Sequence, residues 1–327
     1  MSEALPLKTW LEKYVLTGTH RLQLKSTEGA PGEPGGNAVL CTSDKTFSIR
    51  QKNSSNTVYI LNAHATDSSG NGLPHAQLEA VSESQSTLET TPVTRSLAAA
   101  QIAQLLPKLT TAGLATGSSN RFTKSQLFAN LPFSDGECEA AYRELAMFED
   151  PSDGHCVLPS APLKLFMWAK ILQNARAGGI DLTGPLLPSQ ILDLREGAED
   201  QPAGFFEAVL HAVAEPSHDH QDIDQARLLR WTGINVIEQK VPKTPTAIST
   251  FKEAWRGYLP EQLREKVDIS SISDRAIMSD GGKKIIWKDY ALDLTPGESN
   301  SADGGDAKAT LGKRKWHEKF KPAKKGG

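Results

Sequence analysis

The sequence predicts an α+β protein in which an N-terminal antiparallel β-module precedes several helical units. Apolar and polar residues alternate up to about residue 95, which is the two-residue period of a strand. From Ser96 onward, apolar residues recur every three or four positions, as they do on one face of a helix. A chain of 327 residues is also longer than a typical single core, so several modules are expected.

Composition and charge exclude some classes of protein. The net charge of −3 gives the whole chain no general attraction for nucleic acid, although its last residues are strongly basic. Cys41, Cys138 and Cys156 are odd in number and far apart, which argues against a disulfide framework or a zinc site. Neither a signal peptide nor an apolar run of membrane-spanning length is evident. We therefore expect a soluble protein of a reducing, intracellular compartment.

The β-module is organised around residues 37–61, which predict three short strands. Apolar residues hold alternate positions in each strand, in the pairs Val39 and Cys41, Phe47 and Ile49, and Val58 and Ile60. Polar turns are expected at 43–45 and 52–56, and further strands at 20–25 and 77–92. A sheet this narrow is unstable unless one of its faces is buried. These strands therefore need a second layer.

Helical units follow the β-module. A helix is predicted over 97–106, and two capping boxes, Thr123–Gln126 and Ser134–Glu137, each open another helix. A turn and a strand at 156–158 come next. Three helices followed by a turn and a strand is the order of a winged helix, which is a variant of the helix-turn-helix.

The same pattern partly repeats along the chain. Helices are predicted over 163–175 and 205–213, and another begins at Asp222 and closes near Gly233, before a strand at 237–241. A third pass starts at Thr246 and ends in a hairpin between 277 and 287. The resulting division is a β-rich module at 1–94, winged helices at 95–160 and 161–245, a partial winged helix at 246–292 and a disordered basic tail at 293–327.

Residues that could perform catalysis are few. His218 and His220 with Asp222 and Asp224 could ligate a metal, but an acidic linker before a helix is the favoured interpretation. The sequence has no phosphate-binding loop and no nucleophile elbow. Cys41 lies in an alternating strand, where a buried apolar residue is expected rather than a nucleophile. The sequence therefore predicts neither an enzyme nor a cofactor.

Two basic segments are candidates for contact with DNA. Lys283, Lys284 and Lys288 flank the last hairpin, where the wing of a winged helix can touch phosphates. In the tail, Lys313, Arg314 and Lys315 precede Trp316, a pattern that suits phosphate attraction with base stacking. A solvated end or a nuclear-import signal is the alternative for the tail.

A family resemblance appears in the same stretch that organises the β-module. Residues 38–47, followed by 55–60, resemble the signature of the defective-in-sister-chromatid-cohesion family. Residues 251–260 with the hairpin after them, and 312–316, resemble later parts of that family. Its members are the non-ATPase subunit of an alternative clamp loader of the replication factor C type.

The resemblance implies partners and a location. The N-terminal strands would join a small cohesion subunit and the large ATPase subunit of the loader in a shared intermolecular β-barrel. The winged helices would contact the leading-strand DNA polymerase and DNA in the nucleus, while other subunits hydrolyse ATP to load or unload the sliding clamp during replication. The strand residues expected to bind these partners are Val39, Leu40, Cys41, Phe47, Ile49, Val58, Tyr59 and Ile60.

Two other classes of function remain open. A free-standing winged-helix DNA-binding or transcription protein would bind DNA in a salt-dependent way through its basic segments. The helix stripe from Cys138 to Leu145 lacks the cluster of Arg, Asn and Gln residues that direct base reading favours, which disfavours sequence-specific regulation. A metal-dependent hydrolase is a distant third.

Overall fold

A computed structural model describes most of the chain between residues 22 and 288. The predicted basic tail lies outside the described residues. The described residues are 22–26, 38–65, 76–93, 97–110, 113–114, 121–198, 201–217, 219–239 and 245–288.

The N-terminal region is a four-stranded antiparallel sheet of order β1-β2-β3-β4. Its strands are β1 (Gln23–Ser26), β2 (Ala38–Cys41), β3 (Thr46–Ala65) and β4 (Ala76–Pro92). The α+β class with an N-terminal antiparallel sheet is therefore confirmed. Its closure into an intermolecular barrel stays a prediction.

The prediction of a turn at 52–56 is wrong, because β3 continues through these residues. The pairing of β3 with β4 passes from Asn53 opposite Ser86 to Val58 opposite Ser84, so the polar residues form a bulge instead of a reversal. A second irregularity sets Ile60 opposite Ser82 and Leu61 opposite Ala80. The continuous partner strand β4 holds β3 extended on both sides of the bulge, and this pairing is not visible in local sequence.

A helical body follows, in which one order of elements recurs three times. The first unit contains α1 (Ala98–Leu105), β5 (Lys108–Thr110), β6 (Gly113–Leu114), α2 (Lys124–Asn130), α3 (Asp135–Glu144), β7 (Phe148–Glu149) and β8 (Cys156–Pro159). The second contains α4 (Ala161–Gly178), β9 (Pro185–Leu186), α5 (Pro188–Arg195), α6 (Phe205–Val213), β10 (Ala214–Pro216) and β11 (Gln221–Ile223). The third contains α7 (Gln225–Gln239), β12 (Thr246–Ala247), α8 (Ile248–Gly257), two 3₁₀ helices (Glu261–Lys266 and Ile269–Arg275), β13 (Ala276–Ser279) and β14 (Lys284–Trp287).

Apart from the extra strand β6 in the first unit and a second 3₁₀ helix in the third, each unit has a helix, a strand, two helical segments and a hairpin. In each small sheet the last strand lies between the other two, in the orders β5-β8-β7, β9-β11-β10 and β12-β14-β13. One cluster of buried residues runs through all three units, from Ala98 to Trp287. Their assignment as winged helices and the boundaries between them stay predictions.

The joint between the sheet and the body is a turn docked on the start of α3. Gly136 N donates a hydrogen bond to Ser43 O at 2.8 Å. The buried hydroxyl of Thr46 accepts from Ser134 N at 2.8 Å and donates to the carboxylate of Glu137. The predicted capping box of Ser134 and Glu137 is present, so the cap of α3 also binds β3. A Cβ at Gly136 would lie 2.9 Å from Ser43 O, so this close approach requires glycine.

Lys25 of β1 adds a second connection at this joint. Its ammonium donates to Phe133 O at 2.6 Å and to Phe128 O at 3.0 Å, at the ends of α2 and of the loop before α3. It also lies 3.4 Å from the Asp135 carboxylate. A lysine ammonium beside the carbonyl groups at the end of a helix donates to acceptors that have no partner within the helix.

Helix α7 corrects another expectation. The sequence predicts that this helix begins at Asp222, closes near Gly233 and precedes a strand at 237–241, but Asp222 lies in β11 and α7 runs from Gln225 to Gln239. Gly233 lies inside the helix, where the indole ring of Trp255 of α8 packs directly on it. A Cβ there would be 2.5 Å from the indole ring. The glycine therefore allows two helices to approach closely and does not end one.

A buried carboxylate connects all three units. Glu238 of α7 accepts a hydrogen bond from Lys108 of β5 at 2.6 Å, and Lys164 of α4 lies 3.9 Å away. Burial lowers the pKa of Lys164. Burial alone would raise the pKa of Glu238, but Lys164 and Lys108 lower it below its usual range. Replacement of Lys164 or Glu238 by an apolar residue would leave the other charge buried without this partner, which is costly.

Gly233→Ala is expected to destabilise the chain by about 3 kcal/mol, because the added methyl group overpacks a buried helix contact against the Trp255 ring. Urea denaturation of the full chain, followed by circular dichroism, measures the change. Gly257→Ala is the matched control, since a Cβ at Gly257 meets nothing within 4 Å. Equal stability of Gly233→Ala and wild type would show that α7 and α8 are not held at this distance.

Thr46→Val is expected to cost about 1–3 kcal/mol of stability, because it removes the hydroxyl that donates to Glu137 and leaves Ser134 N with only its longer bond to Glu137, at 3.2 Å. Thr46→Ser keeps the hydroxyl and should recover most of the loss. Hydrogen exchange of the Ser134 and Gly136 amides reports on the joint directly. Unchanged protection of both amides in Thr46→Val would contradict the role of this contact.

Candidate functional site

Beyond the joint, β3 and β4 continue as a long two-stranded ribbon. Strand β2 pairs only with Thr46–Ser48, so β3 has no strand on its other side from Ile49 onward within the described residues. The outer side of β4 has no strand partner there either. Backbone groups along such edges are available to pair with another chain. The ribbon therefore offers two edges for strand addition.

Register assigns the side chains of the ribbon to two faces, since residues directly opposite in an antiparallel pair share a face. We name the faces by Ile49 and Arg50. The pairs on the Ile49 face are Ile49 with Thr90, Gln51 with Leu88, Val58 with Ser84 and Ile60 with Ser82. The pairs on the Arg50 face are Arg50 with Glu89, Lys52 with Thr87, Tyr59 with Glu83 and Leu61 with Ala80.

The Ile49 face carries an apolar stripe that no described residue covers completely. Leu24 of β1 lies opposite Leu40 of β2, and Leu40 lies opposite Phe47, so the stripe crosses the sheet. Leu24, Leu88 and Ile60 are exposed. Neighbouring exposed apolar residues on a sheet face make this face a candidate interaction site.

The Arg50 face changes character along the ribbon. At the base, Cys41 and Thr46 are buried beside α3. In the middle the face is charged, and Lys52 pairs with Glu89 at 2.9 Å. At the distal end Tyr59 and Leu61 are 58% and 52% exposed. The middle of this face is therefore suited to contact with solvent, whereas its distal end exposes apolar side chains.

The eight strand residues expected to bind partners separate by position. Leu40, Phe47, Ile49, Val58 and Ile60 lie on the Ile49 face, where Phe47 is buried and Val58 and Ile60 are exposed. Val39 and Cys41 are buried at the base of the Arg50 face, and Tyr59 lies at its distal end. Partner contact by these residues stays a prediction.

Sequence reasoning missed some apolar residues of the same surface. Leu24 and Leu88 extend the Ile49 face, and Leu61 extends the distal end of the Arg50 face. Leu78 and Val81 are also exposed on β4. The alternation around Leu24 and the unbroken apolar run Val58–Leu61 are the signals that could have identified them.

The cysteines have no features of a reactive site. All three are buried, as the sequence predicts for Cys41. Burial raises the pKa of Cys41, and it raises those of Cys138 and Cys156 to about 12 and about 11. Thiols with such pKa values stay protonated near neutral pH and act as apolar groups.

Metal ligands and membrane-spanning helices were also sought in the described part of the chain. No group of three or more His, Cys, Asp or Glu residues that could hold a metal occurs there. His220 instead lies between Asp219 at 2.6 Å and Asp222 at 3.1 Å, and these carboxylates raise its pKa. His218 lies outside the described residues. The helices in this part are also too short or too polar for a bilayer crossing.

The predicted basic wing is the turn between β13 and β14. Lys283 and Lys284 are exposed, and Lys284 lies 3.2 Å from Asp280. Lys288 is partly buried at the end of β14, where its N–H donates to Arg275 O at 3.0 Å. Lys313, Arg314, Lys315 and Trp316 lie outside the described residues. Among the predicted DNA-binding residues that the structure describes, only the lysines at the wing are therefore brought together.

The other two hairpins have acidic turns. The turn between β7 and β8 carries Asp150 and Asp153, and the turn between β10 and β11 carries Asp219. Carboxylates repel phosphate groups, so these turns are unsuited to contact with a nucleic-acid backbone. The third hairpin differs because Lys283 and Lys284 lie at its turn beside the carboxylate of Asp280.

Comparison with protein families gives one match, which covers most of the chain. Residues 7–290 match the model described as sister chromatid cohesion protein Dcc1. Comparison with curated proteins gives no match. The matched region includes the sheet, its ribbon and all three helical units, and it implies a role in sister chromatid cohesion within a complex. The family that the residues of the β-module resemble is thus confirmed, and the chain belongs to the Dcc1 family of sister chromatid cohesion proteins.

Proposed function

We propose that this chain is a non-catalytic adaptor subunit of an alternative clamp loader that acts in the nucleus. In this proposal the ribbon assembles with a small barrel-forming cohesion subunit and with the large ATPase subunit. The helical units act as winged helices that link the loader to the leading-strand DNA polymerase and to DNA. Other subunits hydrolyse the ATP that loads or unloads the sliding clamp during replication.

The observation that carries the proposal is the ribbon of β3 and β4. Its two edges lack partner strands within the described residues, and its exposed apolar side chains have no cover there. Such a ribbon is an aggregation hazard in an isolated protein. Strand addition by another chain would satisfy the backbone and bury the apolar side chains together. An assembly subunit explains both features.

Contact with DNA is supported by the third helical unit. Its order of elements matches that of a winged helix, and Lys283 and Lys284 lie at the turn that would be the wing. Electrostatic contact of this kind is weak, independent of base sequence and sensitive to salt. It suits an adaptor that must remain on DNA of any sequence.

A free-standing winged-helix DNA-binding protein is the second candidate, and the same basic wing favours it. The two candidates differ in what they require of the ribbon. An adaptor needs the ribbon to recruit partner chains. A free-standing protein has no partner chain to cover the exposed apolar residues of the ribbon. The ribbon therefore favours the adaptor.

Affinity purification of the tagged full chain from nuclear extract should recover the subunits of a clamp loader, identified by mass spectrometry. Leu88→Lys, on the exposed Ile49 face, should reduce their recovery because it places a charge in the apolar stripe. Lys170→Gln, on the helical body, is the control. Recovery of no loader subunit with the wild-type chain would overturn the adaptor proposal in favour of the free-standing protein.

The double variant Lys283→Glu/Lys284→Glu should bind duplex DNA more weakly and with a smaller dependence on salt. Each lost phosphate contact lowers the slope of log K against log salt by about 0.9. The slope would be measured by fluorescence anisotropy at salt concentrations from about 50 to about 200 mM. Lys45→Glu/Arg176→Glu is a control with the same net charge. Equal loss in both double variants would show that overall charge, and not the wing, determines the affinity.

A further inference from the structure

We propose that a cavity between α3 and α7 binds a short acidic peptide segment of a different protein, which inserts one apolar side chain into it. The cavity has a volume of about 450 Å³ and is lined by residues of α3, α6 and α7, so all three helical units meet around it. It lies apart from the ribbon and from the basic turn of the third hairpin. Such a site goes beyond the proposed function and does not depend on the ribbon.

The interior of the cavity is largely apolar. Trp231 of α7 lines it and is held in position because its Nε1 donates to Glu144 O at 3.0 Å. The other apolar residues of the lining are Ile234, Ala140, Ala212 and Ala226. Alanine side chains fill little space, and the volume that they leave is within the range of sites that bind ligands in proteins. One large apolar side chain of a partner would fit there.

Two buried polar atoms of lining residues have no hydrogen-bond partner in the described part of the chain. They are Nη1 of Arg227, which is a donor, and Oε1 of Glu144, which is an acceptor. The Glu144 atom lies 4.0 Å from Arg230 Nη2, which is beyond hydrogen-bond distance. Buried polar groups normally have partners, so these two atoms point to a ligand. A peptide main chain offers both the acceptor and the donor that they require.

The charge of the lining determines the charge of the ligand. Arg143, Arg227 and Arg230 line the cavity, and each of their side chains is about one-third exposed. Among the described residues, the lining contains one carboxylate, that of Glu144. The carboxylates that pair with the arginines do not line the cavity; they are Glu215, Asp224 and Asp274. The lining therefore has an excess of positive charge, which attracts acidic residues beside the inserted side chain.

A phosphate group of a nucleic acid is a poorer match for this cavity. Arginines attract phosphate, but the walls between them are apolar and the carboxylate of Glu144 would repel it. A nucleic-acid backbone also has no apolar side chain to fill the space beside Trp231. A peptide with one apolar residue and acidic neighbours satisfies the volume, the two polar atoms and the charge together.

The test pans the full chain against displayed short peptides that contain one Phe, Leu or Trp among Asp, Glu, Ser and Gly. One comparison library replaces the apolar residue by Ser, and another replaces Asp and Glu by Lys and Arg. The first library should be enriched most, because it alone matches both the apolar lining and its charge. The affinity of the most enriched peptide is then measured by fluorescence anisotropy.

Ala226→Phe and Ala140→Phe should each lower the affinity for this peptide at least about tenfold, because the new ring occupies the space of the inserted side chain. Ala177→Phe, on α4, is the matched control and should bind as the wild type does. All three alanines are exposed, so thermal unfolding of the variants should be unchanged. Arg227→Gln should weaken binding and reduce its sensitivity to salt, whereas Arg176→Gln on α4 should do neither.

Several results would overturn this inference. Equal enrichment of the Ser library would show that no apolar side chain is inserted, and equal enrichment of the basic library would show that charge does not select the ligand. Wild-type affinity in both Ala226→Phe and Ala140→Phe would place the peptide elsewhere, and its loss in Leu88→Lys would place it on the ribbon. Each of these results leaves the recovery of clamp-loader subunits unaffected, so the proposed function is tested separately.

Discussion

The docking of the turn after β2 on the start of α3 is the contact on which the attachment of the sheet to the helical body depends. Four strands of unequal length cannot bury a face among themselves. Thr46, Ser134 and Glu137 share one set of hydrogen bonds, so the cap of a helix is also the anchor of the sheet. The residues that resemble the family signature include this turn. Part of that signature therefore serves attachment within the chain, while the ribbon beyond it remains available to partners.

Local signals in the sequence predicted local structure well. Both capping boxes open helices as expected, and the apolar run at 205–213 forms α6 with the same bounds. The hairpin of β13 and β14 was also evident from its glycine turn. These features depend on neighbours within a few residues, which is why the sequence alone was sufficient.

Features determined by distant contacts were not predictable in this way. Polar residues at 52–56 have the composition of a turn, but pairing with β4 keeps them in a strand. Gly233 has the character of a helix end, but Trp255 packs on it from another helix. The faces of the distal ribbon depend on two bulges, so alternation alone could not assign Tyr59 and Leu61 to a side. The apolar composition of the candidate site was visible in the sequence, and its geometry was not.

The buried carboxylate of Glu238 has a consequence for the synthesis of the protein. A ribosome makes Lys108 and Lys164 well before it makes Glu238, and Trp255 follows later still. The first two units are therefore made before the carboxylate that pairs with both lysines, and before the helix that packs against α4. Domains commonly fold as they leave the ribosome. Completion of this buried ion pair therefore requires the third helical unit, so the first two units cannot reach their final packing before α7 has been made.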